Sequence, residues 1–114
     1  MPFDNLPVVS NPVRDVIDQA IERIETNGWC RGSLGVHPKG TRGLSVCLLG
    51  AIGIYQVRGW YFAPTPDVEE AKRLLAEMIP RCGDEQHSLF MWNDDPQRTR
   101  DEVIDLLKRV RDLA

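Results

Sequence analysis

The feature that most constrains this chain is an uncharged, apolar stretch at residues 43–55, near the middle of the sequence. Its apolar residues recur at helical spacing, and Gly50 and Gly53 would let neighbouring elements approach its backbone closely. The stretch is shorter than the roughly 20 apolar residues that a membrane span requires. We therefore predict a central core helix over residues 44–55, with one stripe formed by Leu44, Cys47, Leu48, Ala51, Ile52 and Tyr55.

Three further segments combine amphipathic spacing with helix start and stop signals. Asn11-Pro12 opens the first, and Asn27-Gly28 ends it. Thr65-Pro66 opens the second, which Pro80 ends. The last begins at the capping box of residues 99–102, in which a Thr and a Glu satisfy each other's backbone amides. The sequence thus predicts four helices.

The fold class that follows is mainly α, a compact four-helix domain with a glycine-rich loop at residues 29–42. A short strand is expected near residues 33–36, and a small two-stranded element can form between this loop and Trp60–Phe62. Residues 82–87 read as a loop and residues 93–96 as a turn, while residues 88–92 fit a helical turn or a strand equally well. Residues 1–10 are expected to form an extended arm before a single helical domain at 11–114.

Charge and cysteine content restrict the function classes. The chain has 14 basic and 17 acidic residues, a net charge of −3, and both signs alternate along the helices. The cations of the last helix are interleaved with acids, so no basic stripe for nucleic acid is predicted. Three cysteines do not form a disulfide framework, and without a secretory signal the expected location is the cytoplasm.

Three short motifs follow one another along the chain: Gly28-Trp29-Cys30, the segment 46–52, and Trp92-Asn93-Asp94 leading through Arg98-Thr99 into the last helix. In this order they resemble the domain-of-unknown-function family 6197, small proteins associated with actinobacteria and their phages. The resemblance spans residues 13–110 and implies a mainly helical fold and a phage or host setting. It implies no activity, so no catalytic residue is transferred to this chain.

Two enzyme-type sites are conceivable from the residues alone. Cys47 near a helix N-terminus could act as a thiol nucleophile in a small hydrolase or transferase, with His37 or His87 as its base. Against this, a cysteine in an apolar segment is more often a small core residue. Cys30 and Cys82, taken together with Cys47, His37 and His87, lack the closely spaced pairs that are typical of a zinc site. The glycines of residues 35–41 lack the lysine of a phosphate loop. Neither a metal nor a cofactor is therefore expected.

The favoured hypothesis is a non-enzymatic module that binds a protein partner or itself. Tryptophans outside the helix stripes, next to polar groups, are frequent anchors of protein interfaces. The alternative is that the 93–95 turn has a structural role and no role in binding, because Asn and Asp hydrogen-bond their own backbone and pair with nearby arginines. The candidate binding residues are Trp29, Trp60, Trp92, Asn93, Asp94 and Arg98.

Overall fold

Helices predominate in the computed structural model, which describes residues 11–36 and 44–114. The five helices in these ranges are α1 (Pro12–Asn27), α2 (Leu48–Ala51), α3 (Pro66–Glu77), α4 (Glu85–Asp94) and α5 (Arg100–Leu113). The mainly α class is therefore confirmed, although the described residues form five helices instead of four. The predicted arm at residues 1–10 lies outside the described residues.

The predicted capping signals of three helices are confirmed. The side chain of Asn11 accepts a hydrogen bond from the Arg14 amide, and that of Thr65 accepts one from the Val68 amide. Thr99 and the acid three residues later form the reciprocal capping box. Each cap satisfies an amide that has no partner within its own helix, which fixes where the helix begins.

The prediction of one continuous helix over residues 44–55 is wrong. The segment forms strand β2 (Ser45–Val46), the one-turn helix α2 and strand β3 (Tyr55–Val57). The stripe does not face one side, because Leu44 and Tyr55 are exposed at its two ends. A segment that is apolar on all sides fits any buried conformation, so its helical spacing did not discriminate between one helix and a strand–turn–strand path.

The fourth long helix is α4. The sequence predicted a loop over residues 82–87, a helical turn or a strand over 88–92 and a turn over 93–96. Asp84 caps it by accepting a hydrogen bond from the His87 amide. Part of the predicted 82–87 loop is therefore helical, and so are Asn93 and Asp94 of the predicted turn. The apolar positions of α4 are only weakly periodic, so its tertiary contacts override its pattern.

The strands form two separate antiparallel pairs. Strand β1 (Gly35–Val36) pairs with β2, and β3 pairs with β4 (Trp60–Phe62). The short strand expected near residues 33–36 is confirmed, but its expected pairing with Trp60–Phe62 is wrong. β1 pairs instead with β2, which lies within the segment predicted to be helical, and β4 pairs with β3, which begins at the last residue of that segment.

The core lies where α1 packs against α5, α3 and α2, while α4 packs against α3 and α2. The apolar segment is still central, because nearly all its residues from position 46 to 54 are buried. Within the described residues, no helix has the length and apolar character that crossing a bilayer demands. The largest fully buried apolar side chains are Ile17, Ile24, Leu48, Leu49, Ile52, Leu75, Leu89 and Leu107.

Candidate functional site

The side chain of Asn93 is the centre of a buried polar network at the end of α4. It is only 1% exposed. Its Oδ1 accepts hydrogen bonds from Trp29 Nε1 at 2.7 Å and from the Leu48 amide at 2.9 Å. Its Nδ2 donates to the Cys30 carbonyl at 3.2 Å and to Asp94 Oδ1 at 2.9 Å. All four hydrogen-bonding positions of the amide are used, so this network joins α4 to the 29–30 loop and to α2.

Two arginines enclose the same region through stacking and backbone contacts. The Arg31 guanidinium lies 4.5 Å from the Trp29 ring centroid, and its Nε donates to the Asp95 carbonyl at 3.2 Å. The Arg98 guanidinium lies 3.8 Å from the Trp92 ring centroid, and its Nε donates to the Trp92 carbonyl at 3.0 Å. Both arginines therefore order the connection between α4 and α5, and their planar groups satisfy carbonyls that the helix end leaves open.

Five of the six predicted binding residues are thus brought together: Trp29, Trp92, Asn93, Asp94 and Arg98. Their polar contacts given above are internal to the chain. The pairing of acids with arginines that the structural alternative predicts is not among the salt bridges of the described residues, since the Asp94 carboxylate accepts from the Gly32 amide and from Asn93. Their role in binding stays a prediction. Trp60, the sixth, lies on the β3–β4 hairpin and does not belong to this network.

Cys47 is the N-cap of α2 and is fully buried. Its Sγ accepts a hydrogen bond from the Gly50 amide at 3.4 Å. Burial raises the pKa of the Cys47 thiol to about 11, and the neighbouring Cys30 and Asp94 contribute in the same direction. Thiol nucleophiles need the opposite setting, accessible and with a lowered pKa, so the surroundings of Cys47 are those of a packed thiol.

Of the two histidines predicted as a possible base for Cys47, the structure describes only one. His37 lies outside the described residues. His87 is exposed in the first turn of α4, six residues before Asn93, which contacts the Cys47–Leu48 segment. At a rise of 1.5 Å per residue this separation is about 9 Å along the helix. Among the described residues no hydrogen bond joins His87 to Cys47, whose Sγ accepts from the Gly50 amide.

Cys30 also lacks an activated setting. The Cys30 Sγ lies 3.5 Å from the carbonyl oxygens of Ser33 and Ser45, and its single proton can be donated to either. Burial, followed by the charge of Asp94, raises its pKa. Cys82 is exposed. In residues 11–36 and 44–114, no three or more His, Cys, Asp or Glu side chains are grouped so as to hold a metal ion.

The β3–β4 hairpin presents an apolar face to solvent. The register pairs Tyr55 with Phe62, Gln56 with Tyr61 and Val57 with Trp60. Since side chains alternate along a strand and opposite residues share a face, four apolar side chains lie on one side. They are Tyr55, Val57, Trp60 and Phe62, exposed by 45%, 48%, 73% and 45%. We call these four residues the aromatic face.

The opposite side of the hairpin anchors it to the helices. The ring centroid of Tyr61 lies 5.2 Å from that of Phe90 in α4, in a tilted arrangement. On the aromatic face, the rings of Tyr55 and Phe62 stack at a centroid distance of 5.7 Å. The aromatic face is therefore held in a fixed arrangement without being covered by the helices.

A cleft of about 510 Å³ opens beside the hairpin turn, where Trp60 and Tyr61 face Lys72, Arg81 and Asp84. Lys72 is already paired with Glu69 at 2.8 Å. The remaining charges of the cleft have both signs. This mixture does not indicate a single ligand class, in contrast to the uniform character of the aromatic face.

The comparison with protein families decides where the chain belongs. The model of a family of unknown function, DUF6197, matches residues 9–113. The chain is a member of DUF6197. The resemblance inferred from the three motifs is thereby confirmed. No curated protein and no solved structure matched this DUF6197 chain.

Sequence reasoning identified Trp60 in this DUF6197 chain but missed the other members of the aromatic face. The available signal was the alternation of Tyr55 and Val57, then of Trp60 and Phe62, around the two-residue connection Arg58-Gly59. Such a pattern is typical of a hairpin. It was overlooked because Tyr55 also continued the helical spacing of the preceding apolar stretch.

Proposed function

We propose that this DUF6197 chain is a non-enzymatic protein-interaction module. We propose further that it acts in the cytoplasm of an actinobacterium, encoded by the bacterium or by a phage that infects it. The observation that carries the proposal is the aromatic face of the β3–β4 hairpin. Aromatic residues are enriched in protein interfaces, and a contiguous exposed apolar patch is typical of a binding site. The location rests on the family resemblance and on the sequence composition.

Trp60 is the expected anchor of the interface. Tryptophan is the residue type most enriched among those that dominate binding energy, and Trp60 is mostly exposed. Trp29 and Trp92 are partly buried and already contact Asn93 and Arg98 within the chain. The proposal is therefore narrower than the sequence hypothesis, because it assigns the contact surface to the hairpin.

The test is affinity capture from host lysate with the wild-type chain, Trp60→Thr and Met91→Thr. Met91 is also an exposed apolar residue, 54% accessible, but it lies on α4 outside the aromatic face. We expect one or more proteins, or the chain itself, to be retained by wild type and Met91→Thr and lost with Trp60→Thr. Equal retention by all three, or none by any, would contradict the proposal.

A further inference from the structure

We propose that a second cleft, between the inner side of the β3–β4 hairpin, residues 32–34 and the end of α4, binds an alkylammonium group. Its volume is about 300 Å³, and its lining includes Gln56, Tyr61, Phe90 and Asp94. Gln56 and Tyr61 are paired across the hairpin and lie on the side opposite the aromatic face, because side chains alternate along a strand. The site is therefore separate from the aromatic face and does not rest on its proposed role. We call it the Asp94 cleft.

The charge in the Asp94 cleft has a single sign. Asp94 is the only charged residue among the described residues that line it. Within the same ranges no cation pairs with this carboxylate: Arg98 pairs with Glu102, and the donors of Arg31 bond to backbone carbonyls. Asp94 is also the last residue of α4, where the helix carbonyls carry partial negative charge and favour a nearby cation. The lining therefore favours a positively charged ligand.

The hydrogen bonds of the Asp94 carboxylate favour an ammonium over a guanidinium. Its Oδ1 accepts from the Gly32 amide and from Asn93 Nδ2, both at 2.9 Å. Since a carboxylate oxygen has two lone pairs, these two bonds occupy Oδ1, and Oδ2 accepts none from the described residues. A guanidinium binds a carboxylate best through both oxygens, whereas an ammonium needs only one. The two bonds also hold the carboxylate in place before a ligand arrives, which lowers the entropy cost of binding.

Two aromatic rings form an apolar wall of the cleft. The ring centroids of Tyr61 and Phe90 lie 5.2 Å apart, with 59° between the ring planes. Aromatic rings attract a cation within about 6 Å of the centroid, and they also pack against the methylene groups that carry it. We therefore expect the ammonium to contact Asp94 while its alkyl chain lies against the two rings.

The size of the cleft restricts the ligand. Ligand pockets usually measure about 300–1,000 Å³, so this one is at the small end and suits a chain of a few carbon atoms. An alkylammonium group of this size occurs in a free aliphatic amine and at the end of a lysine side chain, and the experiment below separates these sources. One partly exposed ion pair and a small apolar contact give a weak complex, with a dissociation constant on the order of 1 mM.

The experiment is an NMR titration of the full chain with n-butylammonium chloride at about pH 7, where an alkylammonium is charged. Three further probes are n-butanol as the uncharged match, n-butylguanidinium as the competing cation, and Nα-acetyl-lysine methylamide as the lysine side chain. Asp94→Asn keeps an Oδ1 acceptor but removes the charge. Its matched control is Asp95→Asn, an exposed neighbour that does not line the cleft. Gln56→Glu adds a second acid at an exposed strand position and tests the site independently of Asp94.

We expect n-butylammonium to shift the Gly32 amide and the ring signals of Tyr61 and Phe90, and n-butanol to leave them unchanged. Asp94→Asn should weaken binding at least about fivefold, and the control variant should bind like wild type. Gln56→Glu should strengthen binding. Added salt should weaken it, because salt screens the attraction between the opposite charges. Circular dichroism checks that each variant keeps its helical content.

Three results would overturn the proposal: no shifts at these groups up to about 20 mM n-butylammonium, equal shifts with n-butanol, or equal binding by Asp94→Asn and its control. Tighter binding of n-butylguanidinium would overturn the assignment of an ammonium. If n-butylammonium binds and the lysine derivative does not, the ligand is a free amine. If both bind, the cleft also accepts a lysine side chain.

Discussion

At the level of single residues, the amide of Asn93 connects parts of the chain that are distant in sequence. Its bonds to Trp29, Cys30 and Leu48 span 64, 63 and 45 residues. A buried amide that uses all its donors and acceptors specifies the geometry around it, since any shift leaves a polar group without a partner.

Replacing Asn93 by Ala should therefore destabilise the fold strongly. The substitution leaves the Trp29 indole, the Leu48 amide and the Cys30 carbonyl without their partner, and each unsatisfied buried group costs about 1–3 kcal/mol. We expect a loss of about 3–5 kcal/mol in the free energy of unfolding, measured by urea denaturation. The neighbouring exposed change Asp95→Ala serves as a control. A loss below about 1 kcal/mol would contradict the assigned network.

Arg58 adopts a left-handed backbone conformation in the hairpin turn. Its φ is 51°, and that of Gly59 is 85°. Two successive positive φ values are typical of the two-residue turn that favours Asn-Gly. The Cβ of Arg58 lies close to the following carbonyl oxygen in this conformation, which Asn tolerates better because its side chain can hydrogen-bond locally. Arg58→Asn should therefore raise the free energy of unfolding by about 0.5–1 kcal/mol in thermal or urea melts. The paired change Arg58→Val, which disfavours this conformation, should lower it.

Cys47 and Cys82 should differ in their rates of alkylation. Cys47 is buried and its pKa is raised to about 11, whereas Cys82 is exposed. Because the thiolate is the reacting form, iodoacetamide at pH 8 should modify Cys82 rapidly and Cys47 only after unfolding. Peptide mass spectrometry of native and urea-treated samples measures this difference. Rapid native alkylation of Cys47 would revive the thiol-enzyme hypothesis.

At the level of elements, α2 and the segment before β1 approach each other at Gly50. A Cβ atom at this position would lie 2.0 Å from the Leu34 carbonyl oxygen. The close approach expected of Gly50 from the sequence is therefore present, although within a one-turn helix. Gly53 serves differently, since its φ of 105° is the feature that requires glycine.

Gly50→Ala should consequently be more damaging than an ordinary glycine substitution. The new methyl group meets backbone, which cannot rotate away, so α2 and the 34–35 segment must separate. We expect a loss of about 2–4 kcal/mol by urea denaturation. Gly32→Ala is the control without a steric clash, because no atom lies within 4 Å of a Cβ there and its cost comes from its positive φ of 75° alone. It should cost about 1 kcal/mol, and equal losses would contradict the steric explanation.

The sequence predicted those elements whose ends have local causes. Caps at Asn11, Thr65 and Thr99 are local chemistry, so α1, α3 and α5 were correctly placed. The path of residues 44–55 depends on pairing with β1 and β4 and on the bond from the Leu48 amide to Asn93. Such contacts between distant parts of the chain cannot be read from spacing. The aromatic face was missed for a different reason, because the local alternation of the β3–β4 hairpin competed with the helical spacing that Tyr55 continues.

At the level of the whole molecule, stability should fall at alkaline pH through Cys47. Its folded pKa of about 11 exceeds the ordinary value of 9.0, so the folded state holds the proton more tightly. The contribution is complete below pH 9 and is lost as pH rises towards 11. Cys47→Ser keeps a side-chain acceptor for the Gly50 amide but does not titrate. Urea melts at pH 8 and pH 10.5 should show a smaller loss for Cys47→Ser than for wild type, and equal losses would contradict the assignment.

The long reach of Asn93 also affects how the protein is synthesised. Ribosomes deliver the chain from its N-terminus, so Trp29, Cys30 and Leu48 emerge well before the amide that satisfies them. Until α4 leaves the exit tunnel, the nascent chain must keep its central apolar segment away from other hydrophobic surfaces. Fragments that end before α4 lack the amide that satisfies these three groups.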